Sequence, residues 1–404
     1  MSAPAVAPVP SRGEPTTAPG VSSVDAAVAL GPLLRRRAAA AEAASSQPSD
    51  VVAAIEDAGL FRLGTPAGLG GLEVEPPAIV ETIEAVSRAD GSAGWTTLIG
   101  NSGLFLAWMD QGLAAGLLDG HPEAAMTGAI APEGRAVPEP GGLRLSGRWR
   151  FMSGCPHARV FSSGFLVTDG PGTGPPRMIG DRPDWRWAVY PATAAEIVPT
   201  WTDAVGLRGT GSHDVVVEGL LVPEGHTVMP FYDPPVVDGA LFRMPFFSLL
   251  KVLLVGVPLG VARHALDAFG EYARTKVRSG PGPIAAEDDV QIRYGIAEAS
   301  VRAARAHVLD EVRRMWATVQ AGDDPTDADR GALTLAVSGA FRTCLAAVDD
   351  LFALAGAGAL YAGDEIQRCW RDLHAAAAHR AVGRAQWQGG AKALLGLPVD
   401  RAWL

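Results

Sequence analysis

The feature that most narrows the folds open to this 404-residue chain is a double change of texture. Helical periods fill the first part, short alternating segments such as LRLSGRWRF, VFSSGFLVT, WRWAVYPA and HDVVVEGLLV fill the middle, and long helical periods then return. Strands confined to the middle do not alternate one by one with helices, so a doubly wound nucleotide-binding sheet is disfavoured and an α+β architecture is expected. The spacing predicts a helix capped at Ser49-Asp50 and ending at Gly59, another from Pro77 to Arg88, and a single helix, buried on most sides, over SAGWTTLIGNSGLFLAWM. About four long helices are expected after the strands, with breaks at 280–283 and 322–325. The expected organisation is a disordered tail over 1–22, a helical domain over 23–124, a central β-domain over 125–236 and a helical bundle over 237–404.

Composition excludes several classes of function. The 34 basic and 44 acidic residues leave a net charge of -10, which repels nucleic acid and anionic membranes. Cys155, Cys344 and Cys369 are scattered, with no CxxC spacing, so neither a disulfide framework nor a thiolate metal site is indicated, and a cytoplasmic location is expected. Apolar runs fall short of a membrane span; Leu249 to Ala262 is interrupted by Lys251 and Pro258.

Motif searches narrow the chemistry further. Gly206-Leu207-Arg208-Gly209-Thr210-Gly211 has the wrong spacing for a dinucleotide loop and precedes a strand, while Gly356-Ala357-Gly358 lies between two bundle helices. His374 and His379 are five apart, about 140° round a helix, which does not suit shared metal ligation, so no metal is expected. No GxSxG nucleophile elbow is present.

What remains is GRWRFMSGCPHARVFSSG, then WTDAVGLRGTGSHDVVVEGLLVP, YARTKVRSGPGPI and RCWRDLHAAAAH. In order and spacing these resemble the acyl-CoA dehydrogenase superfamily over nearly the whole chain. The resemblance implies an N-terminal helical domain, a central β-domain, a C-terminal four-helix bundle, a flavin held between them, and a homotetramer or dimer. Arg368-Cys369-Trp370-Arg371-Asp372 with His374 and His379 is closer to the two-component flavin monooxygenases, which take reduced flavin from a separate reductase and use a C4a-hydroperoxyflavin. Tyr361-Ala362-Gly363-Asp364 carries alanine where dehydrogenases of the superfamily carry a catalytic glutamate, which favours oxygenation. The alternatives are an FAD-dependent acyl-CoA dehydrogenase or oxidase, and a non-catalytic binding relative.

An isoalloxazine ring needs an apolar wall and a few polar groups, and Phe151, Met152, Ser153 and Trp201 are suitable types, with alternate strand side chains facing the ring. The resemblance implies that Ser153 hydrogen-bonds near flavin N5, with Ser212 as a weaker counterpart. It makes His379 the residue that reaches the C4a side, and Asp372, seven residues earlier, shares nearly the same helical face. Lys276 and Arg278, with Gly356 and Gly358, are implied at the flavin phosphates, where relatives use an arginine from a neighbouring subunit. Trp95, Asn101, Ser102 and His374 are expected to line the substrate pocket. The expected ligands are reduced FMN, with FAD as the alternative, and a hydrophobic aromatic, polyketide-like or amine-bearing small molecule.

Overall fold

The structure, a computed structural model, describes residues 21–170, 174–278 and 282–404. Up to residue 20 the expected tail lies outside the described residues, as do Ser279 and Gly280. Five helices come first: α1 (Ser23–Ala44), α2 (Ser49–Asp57), α3 (Pro76–Ala89), α4 (Gly91–Gly100) and α5 (Gln111–Leu118). Ser49 does not cap α2; it is the first helical residue, and Pro48, its φ held by the ring at -60°, stands at the N-cap without a side-chain bond. Asp90 does cap α4, its Oδ1 accepting the Ala93 N–H at 2.7 Å.

The one helix expected over SAGWTTLIGNSGLFLAWM is two elements, because α4 stops at Gly100 and Ser102–Trp108 winds as 3-10 turns. Asn101 makes the break. Its amide donates to the Leu60 and Thr97 carbonyls and its Oδ1 accepts the Leu63 N–H, tying the helix end to the chain after α2.

The strands are β1 (Met126–Glu139), β2 (Gly142–Met152), β3 (Val160–Val167), the small β4 (Met178–Ile179) and β5 (Arg182–Pro183), β6 (Trp185–Pro191), β7 (Glu196–Val198), β8 (His213–Pro223) and β9 (Thr227–Val228). Seven of them form one sheet, ordered β7-β8-β2-β1-β3-β6-β9, with β1 and β3 parallel and the other neighbours antiparallel. An aromatic cluster that includes Trp185, Trp187, Phe231, Phe246 and Trp403 joins this sheet to the helices that follow.

Those helices are α6 (Phe246–Thr275), α7 (Asp288–Gln320), α8 (Asp327–Ala355), α9 (Glu365–Ala377) and α10 (Arg384–Leu394). The long helix α6 runs unbroken through Lys251 and Pro258, the residues that interrupt its apolar run. By length and composition it is apolar enough to cross a membrane, but 89% of its apolar window is buried inside the molecule. Lys251 is accommodated because its ammonium donates to Thr334 Oγ1 and to the main-chain oxygen of Leu404.

Contact between α3 and α6 locks the N-terminal helices onto the bundle. Gly260 permits it, since a Cβ there would lie 2.3 Å from the Glu84 carbonyl oxygen and 2.7 Å from the Arg88 nitrogen, both rigid backbone. Gly260→Val is therefore expected to force α3 and α6 apart at a cost of roughly 1–3 kcal/mol. Calorimetry of the flavin-free protein should show a melting temperature several degrees lower, and an unchanged value would mean that the helices do not approach this closely.

Candidate active site

The site begins with an irregularity in β2. Its pairing with β8 runs Trp149 to Val215 and then Met152 to His213, three residues against two, so one extra residue is inserted. Phe151 absorbs it with φ of +60°, a conformation rare for a bulky side chain. The inside–outside alternation is thereby reset: Trp149 and Met152 both enter the core, while Phe151 is 63% exposed and meets Trp201 edge-on, 6.0 Å between centroids. Simple alternation along the strand, as expected from the sequence, does not hold, and Met152 turns away from the surface that Phe151 and Trp201 share.

The next residue is held tightly. Ser153 N–H donates to the Phe151 carbonyl at 2.9 Å, and its own carbonyl accepts Thr127 Oγ1. Ser153 Oγ lies 3.0 Å from Trp95 Nε1 and 2.7 Å from Ser212 Oγ, Ser212 is 2.6 Å from Thr210 Oγ1, and Thr210 is 2.8 Å from the Leu207 carbonyl oxygen. The two ends orient every hydroxyl. An indole N–H only donates and a carbonyl only accepts, so protons point in one direction, from Trp95 through Ser153, Ser212 and Thr210 to Leu207. Ser153 has thus spent its single proton, and the capacity left to it is as an acceptor.

Trp95 also meets His379, ring centroids 5.6 Å apart at 72°. His379 is not on α9, which ends at Ala377; it caps the 3-10 turn Arg380–Val382, its Nδ1 accepting the Ala381 N–H at 3.3 Å. That bond places the ring proton on Nε2, which has no protein partner among the described residues. His379 is exposed at the surface of the chain, although protein packs round much of its ring. Burial, with the nearby Arg380 cation second, depresses its pKa to about 4, so it is a neutral donor at physiological pH.

Because α9 ends early, a shared helical face does not link Asp372 to His379. Asp372 is buried, and its Oδ1 accepts the Leu207 N–H at 2.6 Å, so the two connect through the loop of the hydroxyl chain. Burial first, then the neighbouring Asp90, raise its pKa to about 7.

The remaining candidates divide. Asn101 is fully engaged by backbone partners and Ser102 donates to the Ile99 carbonyl, so both serve local structure. His374 turns to α8, 2.9 Å from Asp349, and packs on Trp370. Lys276, Arg278, Gly356 and Gly358 gather elsewhere, at the end of α6 and the turn after α8. Arg278 is occupied by Glu287 and the Leu354 carbonyl, whereas Lys276 has no anionic partner among the described residues. A Cβ on Gly358 would lie 3.6 Å from Lys276 Nζ and 2.3 Å from Tyr272 Oη, so the absent side chain keeps that cation accessible.

With this geometry in place, the relatives decide the family. The family described as acyl-CoA dehydrogenase, C-terminal domain, matches residues 252–384. Indole-3-acetate monooxygenase of Pseudomonas putida is 33% identical over 349 residues, 86% of this chain and 87% of that protein. The oxygenase component of the FADH(2)-dependent resorcinol hydroxylase of a Rhizobium species is 30% identical over 387 residues, 90% of this chain and 91% of the relative. The chain belongs to the two-component flavin-dependent monooxygenases. The crystal structure of 3-HSA hydroxylase from Rhodococcus sp. RHA1 superposes on this monooxygenase with a TM-score of 0.86, covering 95% of this chain and 99% of that one at 26% identity, so the fold is that of the acyl-CoA dehydrogenases. As an oxygenase component it works with reduced flavin, a separate reductase and a small-molecule substrate.

The residue types gathered round Ser153 suit a reduced isoalloxazine. Phe151 and Trp201 offer an exposed aromatic wall, Ser153 an oriented acceptor and His379 an unpaired donor. Sequence reasoning missed Leu207, Thr210 and the buried Thr96, whose hydroxyl is unpartnered and whose methyl lies beside Gly154. The glycine density of GLRGTG was the available signal for the loop. Ser153→Ala should weaken reduced-flavin binding about fivefold to tenfold, the loss of one net hydrogen bond of about 1 kcal/mol, and oxidised flavin much less. Anaerobic titration tests this, and equal losses for both redox states would show that the hydroxyl does not discriminate.

Proposed function

We propose that this monooxygenase oxygenates a hydrophobic, aromatic small molecule, holding reduced FMN or FADH2 in the cleft between Phe151, Trp201, Trp95 and His379. The observation that carries the assignment is the one-way hydroxyl chain, because it leaves Ser153 able only to accept, and N5 of a reduced flavin carries a proton to donate. Bound reduced flavin supplies the two electrons needed to activate O2. This chain's residues orient and protect it: the aromatic wall excludes water, Ser153 sets the ring's position, and His379 donates Nε2–H to an oxygen atom at the ring without changing charge. Taking a proton from substrate does not suit this tautomer, since Nδ1 is occupied.

Acyl thioester oxidation is less well served. Ala362 supplies no carboxylate, and Asp364 is engaged in capping α9 through the Ile366 and Gln367 amides. The aromatic tone of the cleft supports an aromatic substrate, in keeping with the indole acetate and resorcinol named for the relatives. Assembly of copies through the bundle, as a homotetramer or dimer, is supported by the apolar span Asp327–Leu360, 39% buried within one chain, and by exposed Ile292 and Ile296 on α7. In such an assembly Lys276 serves the flavin phosphates of a neighbouring copy, acting as a point charge. The three buried, free cysteines support a cytoplasmic location.

Anaerobic mixing of protein with reduced flavin, followed by oxygen, should give a near-ultraviolet absorbance transient before oxidised flavin appears. Direct return of oxidised flavin, together with bleaching of bound flavin by an acyl-CoA, would replace this reading with a dehydrogenase. His379→Ala should retain reduced-flavin binding and slow substrate oxygenation about 10²-fold. Product analysis under single turnover reads this out, and undiminished product formation would remove His379 from the mechanism.

A further inference from the structure

We propose that Asp372 is a positioning residue that sets the direction of the hydroxyl chain at the flavin by holding Leu207 in its left-handed conformation. The inference rests on the cleft being the reduced-flavin site. Leu207 has φ of +50°, and a branched side chain keeps such a conformation only where its surroundings over-determine it. Both peptide units around it are held. The N–H on one side is bound by Asp372 Oδ1 at 2.6 Å, and the carbonyl on the other accepts Trp201 Nε1 at 3.0 Å and Thr210 Oγ1 at 2.8 Å. The approach is close: a Cβ on Gly206 would fall 2.0 Å from the Arg371 carbonyl oxygen, and Arg371 itself donates to the Val205 carbonyl.

Asp372 contacts the two elements that carry the ends of the chain. A Cβ on Gly91 would lie 2.8 Å from Asp372 Oδ2, so the carboxyl packs against the first turn of α4, the helix that carries Trp95, the donor end. At the acceptor end it fixes the loop that carries the Leu207 carbonyl. If Leu207 relaxes, Thr210 loses its acceptor and its proton is free to turn toward Ser212. The chain can then reverse, and Ser153 presents a hydrogen to the ring, which suits the unprotonated N5 of oxidised flavin. The group is also poised to respond to pH. It faces Asp90 at the cap of α4 and Glu42 on α1, with Arg371 and Arg368 on its own helix and His264 on α6 close to Asp90. Its pKa, raised by burial and by Asp90 to about 7, means that ionisation, and with it a stronger bond to the Leu207 N–H, is gained as pH rises through neutrality.

The test is the ratio of dissociation constants for oxidised and reduced FMN, measured anaerobically on the full-length protein between pH 6 and pH 9. In the natural protein the preference for reduced FMN should grow as pH rises. Asp372→Ala should lower the ratio by at least about fivefold, as expected when a net hydrogen bond holding the loop is lost. Asp372→Asn keeps an acceptor oxygen but does not titrate, so it should restore most of the preference while losing the rise with pH that the natural protein shows beyond the flavin's own ionisations. Ionisations of the flavin itself are common to all three proteins and cancel in the comparison. A ratio unchanged in Asp372→Ala, or a natural pH profile persisting in Asp372→Asn, overturns the proposal. Should Asp372→Ala fail to fold, the Asp372→Asn profile decides alone. A natural protein without preference for reduced FMN overturns the flavin-site reading as well, which separates the two failures.

Discussion

The run of hydroxyls between Trp95 and the β-domain depends on one main-chain unit. Leu207 is the point where a β-domain loop, the last turns of α9 and the start of α4 are tied together, through Asp372, Arg371 and the Ser92 hydroxyl that accepts the Gly209 N–H. Its carbonyl terminates a run of hydroxyls, and a terminus that can only accept forces every member to donate the same way. The direction of the Ser153 hydroxyl is therefore set by a backbone oxygen three hydrogen bonds away. Such networks carry more than the sum of their pairs because each bond polarises the next, and the buried setting strengthens them.

The second constraint is the inserted residue in β2. Without it Phe151 would turn into the sheet and Met152 outward; with it the strand keeps two large apolar residues in the core and still offers an aromatic ring at the surface. The backbone strain at Phe151 is compensated by the turn it makes possible, in which Ser153 is held from both its N–H and its carbonyl. The strained backbone thus lies where the β-domain meets α4, through Ser153 and Trp95.

Much of the architecture was legible in the sequence. Segregated helices and strands point to α+β, and the order of GRWRF, GLRGTG and RCWRD resembles a flavin-binding family. Local signals failed where side chains from distant segments intervened. Asn101 divides an apparently continuous apolar helix because its partners are the backbone of residues 60 and 63. His379 stands beside Trp95, but the helix expected at His379 was an extrapolation of period past the last helical turn.

By itself, the sequence determined the layers, the family resemblance and the residue types available for holding a flavin, because these follow from hydrophobic periodicity and short motifs. Only the tertiary structure decided which of those residues meet, which proton each hydroxyl points where, and that Asp372 is buried beside Asp90 while Asn101, Ser102 and His374 serve other ends. The physical reason is that hydrogen-bond direction and desolvation belong to groups far apart in the chain. Trp95, Ser153, Leu207 and Asp372 span most of its length, and no local pattern records that they share one space.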